Sequence, residues 1–315
     1  MTSDVTSEMT SETALETERD RHFAEYGEIE RLSFGGGHLS VSINSRIPEA
    51  VGLLGDIELP PDDMAADELL KVACNWCRVR GCTDVLAGVS RNTWYPFRIV
   101  LSGFDALPPF SGEPQNVPNL ATRLAARGFE PVAHYESTWG GDSTRFLAAG
   151  QPKIEAAQAA GYMIRPFDPA HAPRDLAFVH GVILKAFEPP ANYLFHPISL
   201  EEFLAVLGPA TGRLDPGLFL LATARDGSPA GFIYSTPEGD DIASIKTLAV
   251  VPEHRSTGLG GALGALTHRA CIERGRPRII HALMRTANHS RAIDVTAGYE
   301  VLRRYAVFGH SLSAS

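Results

Sequence analysis

A predicted strand, a glycine-containing turn and a long predicted helix follow one another between Thr247 and Ala262. The apolar run from Ala243 to Val251 is typical of a strand, and Pro252 ends it. Apolar residues then recur at helical spacing from about Gly258 to Arg274, and Gly275 follows as a stop signal. This order constrains the fold, because the end of the strand and the start of the helix must meet at one turn. Unpaired backbone N–H groups and the positive end of the helix dipole also meet there, which predicts an anion site.

The residues of this turn suit a phosphate or pyrophosphate group. Gly258 and Gly260 let a bulky group approach the backbone, Arg255 adds a positive charge, and Ser256 and Thr257 offer hydroxyl donors. The alternative to a phosphate site is a helix start that its glycines make flexible, with Arg255 exposed to solvent and no ligand bound. The turn is neither a Walker A loop nor a dinucleotide fingerprint, because it lacks a following Lys-Ser or Lys-Thr and a Gly-x-Gly-x-x-Gly.

A similar order of signals occurs in both halves of the chain. Cys77–Gly81 closes a predicted helix in the first half much as Cys271–Gly275 does in the second, and each is followed by a strand and then an asparagine, Asn92 or Asn288. The matched order of proline, helix, glycine, strand and asparagine favours an internal duplication. We therefore predict two related halves, residues 20–150 and 151–315, after a tail of residues 1–19.

The charge distribution and the hydropathy of the sequence argue against two classes of protein, general nucleic-acid binders and membrane proteins. The first 20 residues carry six acidic side chains against Arg19 and so hold −5 of the net charge of −9. Such a segment cannot bury apolar surface, which predicts a disordered acidic tail. The nearly neutral remainder lacks the basic surface of a general nucleic-acid binder. No apolar run approaches the roughly 20 residues of a membrane helix, and the start is unlike a secretory signal, so we expect a cytoplasmic protein without a membrane partner.

Three of the four cysteines cluster in sequence, at Cys74, Cys77 and Cys82, with Cys271 far away. The cluster suggests a metal or redox site, but a fourth ligand near it is missing. Cys74 and Cys77 also share a helical pattern with apolar neighbours. Packing as small buried hydrophobic residues is therefore the favoured interpretation, and no metal is expected.

The motif Arg255-x-x-Gly258-x-Gly260, placed after a strand that ends Leu248-Ala249-Val250-x-Pro252, resembles the pyrophosphate-binding signature of the GNAT acyltransferase superfamily. Further motifs match in order along the second half: Arg165-Pro166, Gly231-Phe232, Asn288 and Gly298-Tyr299. The first half resembles the N-terminal portion of tandem GNAT-like proteins through four motifs: Asn92-x-Trp94, Arg98, Phe110-x-x-Glu113-Pro114 and Ala126-Arg127-Gly128-Phe129. The resemblance implies an α/β fold of two GNAT-like modules, each a mixed, mostly antiparallel sheet flanked by helices, with a degenerate first half.

The same resemblance implies that the second half binds acetyl-CoA or another acyl-CoA, or an acylated phosphopantetheine. Backbone groups at Leu248, Ala249 and Val250 would hold the pantetheine arm, and the backbone amides from Ser256 to Gly260 the pyrophosphate. The implied donor-binding residues are Leu248, Ala249, Val250, Arg255, Ser256, Thr257, Gly258, Leu259, Gly260 and Asn288.

Direct attack of a free amine on a thioester requires a polarising N–H, a base for the ammonium and an acid for the leaving thiolate. We assign the polariser to the Leu248 N–H and the base to His281, with Asn288 as a further catalytic residue; a histidine of the core is the alternative for His281. Many family members place a tyrosine seven residues after the equivalent of Asn288, where this chain has Val295. Tyr299 is expected to pack in the core.

The loop that shapes the acceptor pocket in relatives corresponds to Asn192, Tyr193, Phe195 and His196. In the first half, Trp94, Arg98 and Glu113 are further candidates for substrate contact, and a buried aromatic residue with an ion pair is the alternative. The first half has Pro60-Pro61-Asp62-Asp63 where the second has its glycine turn. Because two carboxylates repel a pyrophosphate, we expect the first half not to bind the donor.

These features together predict an N-acyltransferase that moves an acyl group from acyl-CoA to the amine of a small molecule. Two alternatives remain open: an amide-forming enzyme whose donor is an acyl carrier protein or an aminoacyl-tRNA, and a non-catalytic acyl-CoA sensor, which the missing tyrosine favours.

Overall fold

The fold is that of a computed structural model, which describes residues 17–47, 50–95, 97–141, 143–188, 194–211, 214–286 and 297–313. These residues form one large mixed sheet flanked by helices, so the predicted α/β class is confirmed. Two separate sheets were predicted, one for each half. The structure instead joins the strands of both halves into a single sheet of twelve strands.

The first half begins with helix α1, over residues 17–23, and ends with a central strand. Its elements are β1 (Gly27–Phe34), β2 (Gly37–Asn44), β3 (Val51–Glu58), α2 (Asp63–Val79), β4 (Asp84–Ala87), β5 (Ile99–Ser102), α3 (Leu120–Ala125) and β6 (Glu130–Trp139).

Helix α4 (Ser143–Ala159) connects the halves. The second half then contains β7 (Met163–Pro166), α5 (Ala172–Ala186), α6 (Leu200–Thr211), β8 (Phe219–Thr223), β9 (Pro229–Glu238), β10 (Ile242–Val250), α7 (Leu259–Glu273), β11 (Arg278–Arg285) and β12 (Glu300–Ser311).

The strand order shows the internal repetition directly. Along the sheet it reads β1-β2-β3-β4-β12-β6-β11-β10-β9-β8-β7, with β5 paired to β12 beside this path. Strands β3 and β4 pair in parallel across helix α2, and β10 and β11 pair in parallel across helix α7. The other pairs are antiparallel. Each half therefore contains one strand–helix–strand unit at the same place, in agreement with the predicted duplication.

The two halves exchange their last strands at the centre of the sheet. Strand β12 comes from the second half but lies between β4 and β6 of the first, paired with both. Strand β6 comes from the first half and also pairs with β11 of the second. The central strands thus connect residues about 170 positions apart, such as Tyr135 and Tyr305.

Helices cover both faces of strands β8, β9 and β10. Phe219 and Leu221 point to the face that α5 and α6 cover, and the alternate residues Leu220 and Ala222 pack with Leu263 of α7 on the other face. This alternation is the period of two that a half-buried strand requires, applied here to both faces. Helix α7 is therefore fixed beside the end of β10.

The sequence pattern between the halves predicts a linker helix only from Ile154 to Ala160, but helix α4 begins eleven residues earlier, at Ser143. It packs closely on α7: a Cβ at Gly150 would lie 2.3 Å from the Ala265 Cβ, so only glycine fits there. The predicted boundary at residue 150 falls inside this helix. Residues 17–19, part of the predicted disordered tail, belong to helix α1.

The four cysteines are buried free thiols, so the packing interpretation is confirmed. Burial raises the pKa of the Cys74 thiol to about 11 and that of the Cys77 thiol to about 12, which keeps both protonated. No helix among the described residues is both long and apolar enough to cross a membrane.

Candidate functional site

Strands β10 and β11 separate partway along their length. Their parallel pairing runs from Ile242 opposite Arg278 to Ile245 opposite His281. The pairing of β10 with β9 shifts register between Ile245 and Thr247, and beyond that shift β10 has β9 as its only paired strand among the described residues. An opening therefore lies between β10 and β11, and Leu248, on an inner strand, is 39% exposed at it.

The start of helix α7 faces the same region. Gly258 is the N-cap in a left-handed conformation (φ 87°), and Ser256 also has a positive φ of 63°. Within the described part of the chain, the backbone N–H groups of Ser256, Thr257, Gly258, Gly260 and Gly261 have no hydrogen-bond acceptor. Such a group of free donors at a helix start is suited to an anion.

The glycines leave space between this helix start and β10. A Cβ at Gly260 would lie 3.7 Å from Val250 and 4.0 Å from Leu248, so the missing side chain leaves a gap above the strand. A Cβ at Gly258 would meet only Lys153, at 3.8 Å, but the left-handed backbone there disfavours any L side chain. The residues present therefore fit a pantetheine arm along β10 and a pyrophosphate at α7.

Arg255 holds the turn rather than pointing freely into solvent. Its Nε donates to the Val250 carbonyl at 3.2 Å and its Nη2 to the Ala186 carbonyl, the last residue of α5, at 2.7 Å. The Thr257 hydroxyl donates to the His254 carbonyl at 2.7 Å. Both side chains thus fix the backbone whose N–H groups form the anion site.

Lys153 of α4 also lies beside this helix start, and sequence reasoning missed it. A Cβ at Gly261 would come within 3.0 Å of the Lys153 Nζ, which has no carboxylate partner among the described residues. A lysine on a solvated helix gives no signal of its own in the sequence. Its proximity to the turn follows only from the packing of α4 on α7.

His281 lies on β11 in a buried cluster between the sheet and helices α4 and α7. Its Nε2 is 3.0 Å from the Nε2 of His268, and its ring stacks on Tyr299 with centroids 4.4 Å apart. Phe146 of α4 stacks on His268 at 3.9 Å. Burial and the neighbouring His281 lower the pKa of His268 well below its usual value. Tyr299 packs as expected, whereas the catalytic role of His281 stays a prediction.

The acceptor-loop candidates that the structure describes meet the first half. Trp94 Nε1 donates to the His196 carbonyl at 3.0 Å, and the Trp94 and Phe195 rings lie 5.5 Å apart. The His196 ring is buried, with the Asn44 amide nitrogen 3.4 Å from both ring nitrogens. Burial, and secondarily the charge of Arg46, lower the pKa of His196 to about 4. Trp94, Phe195 and His196 thus come together between the halves.

A buried glutamate anchors the second half beside this loop. Glu202, in the first turn of α6, accepts a hydrogen bond from the Tyr26 hydroxyl, which in turn accepts one from the Asn92 amide at 3.1 Å. Ser199 caps the helix, with its hydroxyl accepting from the Glu202 N–H at 3.1 Å. Burial raises the pKa of the Glu202 carboxyl. The start of α6 is thus capped by Ser199, whereas the Glu202 side chain turns to the first half.

Glu113 lies in a separate polar network at the exchanged strands. It accepts from Arg303 Nη1 at 2.8 Å and from the Tyr305 hydroxyl, both on β12. Tyr305 also meets the Ser137 hydroxyl at 2.9 Å, and Ser137 accepts from the Leu283 N–H at 3.0 Å. Glu113 is thus part of a buried ion pair, and its contact with a substrate stays a prediction.

Arg98 and Lys246 lie near one another where the opening meets the first half. Arg98 stacks on Phe97 and Tyr135, and Lys246 lies at the register shift of β10, above the ring of Phe110. Sequence reasoning proposed Arg98 but missed Lys246. A lone lysine in the apolar strand Ile245-Lys246-Thr247-Leu248 was the available signal.

The corresponding helix start of the first half is closed by acidic side chains. Asp62 is the N-cap of α2 and accepts from the Ala65 N–H at 2.8 Å. Asp63 pairs with Arg123 and Arg127 at 3.2 and 2.9 Å, and these arginines lower the pKa of its carboxyl. Carboxylates thus stand where the second half offers free N–H groups.

Three predicted site residues, Asn192, Tyr193 and Asn288, lie outside the described residues, as does Val295.

Comparison with known proteins gives a family match for most of the second half. Residues 183–296 match the model of the acetyltransferase (GNAT) family. The fold is similar to that of a tandem GNAT protein from the clavulanic acid biosynthesis pathway, without AcCoA, at a TM-score of 0.55 and 19% identity over 92% of this chain and 85% of that one. It is also similar to a GCN5-related N-acetyltransferase from Sphaerobacter thermophilus, at a TM-score of 0.52 and 16% identity over 89% and 78% of the two chains. No curated protein matches the sequence.

Residues 183–296 of the second half therefore match the acetyltransferase (GNAT) family, as the motifs of that half predicted. In fold the chain is similar, over most of its length, to a tandem GNAT protein. The family consists of acyltransferases, usually N-acetyltransferases, with acyl-CoA as cosubstrate.

Proposed function

We propose that the chain is an N-acyltransferase that moves an acyl group from acyl-CoA to the amine of a small molecule. The observation that carries this proposal is the opening between β10 and β11, with the free N–H groups at the start of α7 beside it. A thioester-bearing arm fits along the open side of β10, and an anion fits at the helix start.

Donor binding uses the backbone more than side chains. Leu248, Ala249 and Val250 offer the unpaired side of β10 to the pantetheine arm. The N–H groups from Ser256 to Gly260, Leu259 included, face the pyrophosphate, and Lys153 adds a positive charge. Arg255 acts by holding the turn in place.

In the proposed reaction the amine nitrogen attacks the thioester carbonyl carbon, a C–N bond forms and the C–S bond breaks. The Leu248 N–H polarises the carbonyl oxygen as negative charge develops there. The attacking ammonium gives its proton to a base, for which His281 is the candidate, and the leaving thiolate takes a proton from solvent or a nearby side chain. We also assign Asn288 to this site, as a donor-binding and catalytic residue.

Titration of CoA and thiol release from acetyl-CoA with a panel of amines test the proposal. We expect one CoA bound per chain, because carboxylates close the start of α2 in the first half. Gly258→Asp should nearly abolish CoA binding, since the new carboxylate repels the pyrophosphate and strains the left-handed backbone. Arg255→Ala should weaken CoA binding less, by about 1.5 to 3 kcal/mol of binding free energy.

Gly227→Asp is the matched control, because Gly227 also has a left-handed backbone (φ 85°) and open space around it, but lies in the β8–β9 turn. Unchanged CoA affinity in Gly258→Asp would contradict the acyltransferase proposal. Binding of CoA with no thiol release from any amine would favour a sensor. Weak CoA binding by the parent would favour a carrier-protein or aminoacyl-tRNA donor.

A further inference from the structure

Arg98 is a half-buried cation held in a fixed plane. Its backbone has an unusual positive φ of 93°. Its guanidinium carbon lies 3.6 Å from the centre of the Phe97 ring and 4.1 Å from that of Tyr135. Stacking on two rings and a strained backbone leave this planar group little freedom to turn.

No carboxylate neutralises Arg98 among the described residues. Its Nη2 makes a long contact of 3.4 Å with the Leu283 carbonyl, and its buried Nε has no hydrogen-bond partner. Burial lowers the pKa of the guanidinium to about 10. The opposing contributions come from two tyrosines, Tyr135 and Tyr305, and from no carboxylate. A half-buried charge whose Nε donor is buried and unsatisfied is costly, so its presence indicates a missing anionic partner.

Lys246 provides a second cation in the same region. Its Nζ donates to the Ser111 carbonyl and lies 4.4 Å from the centre of the Phe110 ring. Burial lowers the pKa of its amine to about 8; the charges of Glu238 and Glu113 oppose this shift, and the charge of Arg98 adds to it. Leu283 packs both against the cluster that holds Phe97 and Tyr135 and against the one that holds Phe110. The two cations therefore border one part of the opening.

The carboxylates nearest Lys246 are already engaged. Glu113 pairs with Arg303 at 2.8 Å. Glu238 accepts hydrogen bonds from the Thr236 and Ser244 hydroxyls, and from the N–H and hydroxyl of Ser111 at 3.0 Å. Neither lies within ion-pair distance of Lys246, so two positive charges remain available to a bound anion.

We propose that Arg98 and Lys246 bind the carboxylate of the acceptor, which is therefore an amino acid or a similar small molecule bearing both an amine and a carboxylate. This inference rests on the proposed function. A planar guanidinium with free N–H groups matches a carboxylate in two-point contact, and an ammonium adds a point charge. Lys246 precedes Leu248 by two residues, about 7 Å along a strand. A carboxylate held at Lys246 thus leaves the amine of a small amino acid close to the proposed reaction centre.

In this arrangement the first half contributes to binding of the acceptor. Arg98 and the segment that holds Phe110 and Ser111 both belong to it, whereas Lys246 belongs to the half that binds the donor. The half that lacks a donor site would therefore supply acceptor specificity.

Binding of matched ligand pairs to the full chain tests the inference without requiring turnover. We would measure glycine against glycinamide, and L-phenylalanine against L-phenylalaninamide, by saturation-transfer NMR in the presence of CoA. The carboxylates should bind at least about tenfold more tightly than the carboxamides, as expected for one charge-assisted contact. Arg98→Met should abolish this preference, and Lys246→Met should reduce it.

Arg80→Met is the matched control, since Arg80 also stacks on an aromatic ring, Trp76, at 3.7 Å but is paired with Glu28 far from the opening. It should leave the preference unchanged. If Arg98→Met fails to fold, Arg98→Lys and Lys246→Met carry the test, because both should weaken the carboxylates selectively.

Equal binding of carboxylates and carboxamides by the parent would overturn the inference, as would an unchanged preference in Arg98→Met. Tighter binding of O-phosphoethanolamine than of either amino acid would overturn the assignment to a carboxylate. Titration of the same protein with acetyl-CoA tests the proposed function separately. A chain that prefers the carboxylates but does not bind acetyl-CoA would overturn the proposed function and leave the anion site standing.

Discussion

At the scale of single residues, backbone conformation prepares the site more than charge does. Ser256 and Gly258 both have positive φ values, and together they turn successive N–H groups toward one point before α7 begins. Arg255 is the charged residue of the motif, but it donates its hydrogen bonds to the Val250 and Ala186 carbonyls. Glycine at position 258 is therefore harder to replace than the arginine.

His281 allows a test that separates chemistry from packing. His281→Ala should lower turnover about 100-fold or more while leaving CoA affinity largely intact, because a general base acts only during the chemical step. Steady-state kinetics and CoA titration measure these two effects.

Phe146→Leu is the packing control for this test. Phe146 stacks on His268 and lies 5.4 Å from the His281 ring, but carries no ionisable group. It should destabilise the cluster while leaving the turnover of the folded enzyme within a few fold of that of the parent. If His281→Ala keeps the parent's turnover, His281 is a core residue.

At the scale of elements, the starts of α2 and α7 show how one fold gains or loses a donor site. Both helices follow a strand and lie beside a parallel strand pair. At α7 the cap is a glycine without a side chain, whereas at α2 Asp62 accepts a hydrogen bond from its own helix. The anion position of the first half is thus occupied by part of the protein.

The loop before α6 should make stability depend on pH. His196 has a folded pKa of about 4 against an ordinary value of 6.5, so the unfolded chain binds the extra proton between these values. Folding stability should therefore fall as the pH decreases from about 6.5 to about 4, by about 3 kcal/mol in total. Chemical denaturation at a series of pH values measures this loss.

His196→Gln should remove most of that dependence, because glutamine does not titrate. His38→Gln serves as the control, since His38 is exposed on β2. Parallel stability curves for the parent and His196→Gln would show that His196 does not control the effect.

Local patterns predicted the elements around the donor site but not the pairing between distant strands. Helix α7, its glycine cap and strand β10 each carry a strong local signal, and the structure has them nearly as predicted. Strand β1 was missed because it is a polar edge strand, with Glu28, Glu30 and Arg31 among its eight residues. Helix α4 was shortened because Gly150 and Pro152 look like breaks, although Gly150 serves close packing on α7.

The candidate acceptor residues illustrate the same limit. Trp94 and Arg98 are only four positions apart, yet Trp94 joins the His196 loop and Arg98 joins Tyr135 and Leu283. Which residue of the second half each one meets depends on the single sheet that joins the halves. No local signal carries that information.

At the scale of the whole molecule, the exchanged strands make each half depend on the other. Chains covering residues 1–141 and 142–315 should each fail to fold alone, because the first lacks β12 and the second lacks β6. When both are produced in one cell, they should purify as a 1:1 complex that binds CoA. Affinity purification through a tag on one fragment, followed by thermal unfolding, measures this outcome. A cooperative unfolding transition in either fragment alone would contradict it.

The position of β12 also has a consequence for folding during synthesis. Residues 300–311 leave the ribosome after the other eleven strands that the structure describes, yet they fill the gap between β4 and β6. The nascent first half must therefore keep two unpaired strand edges while about 160 further residues are made. Unpaired edges of this kind invite aggregation, and pairing between distant segments is slow. Chaperone dependence of the newly made chain should end only when β12 has emerged.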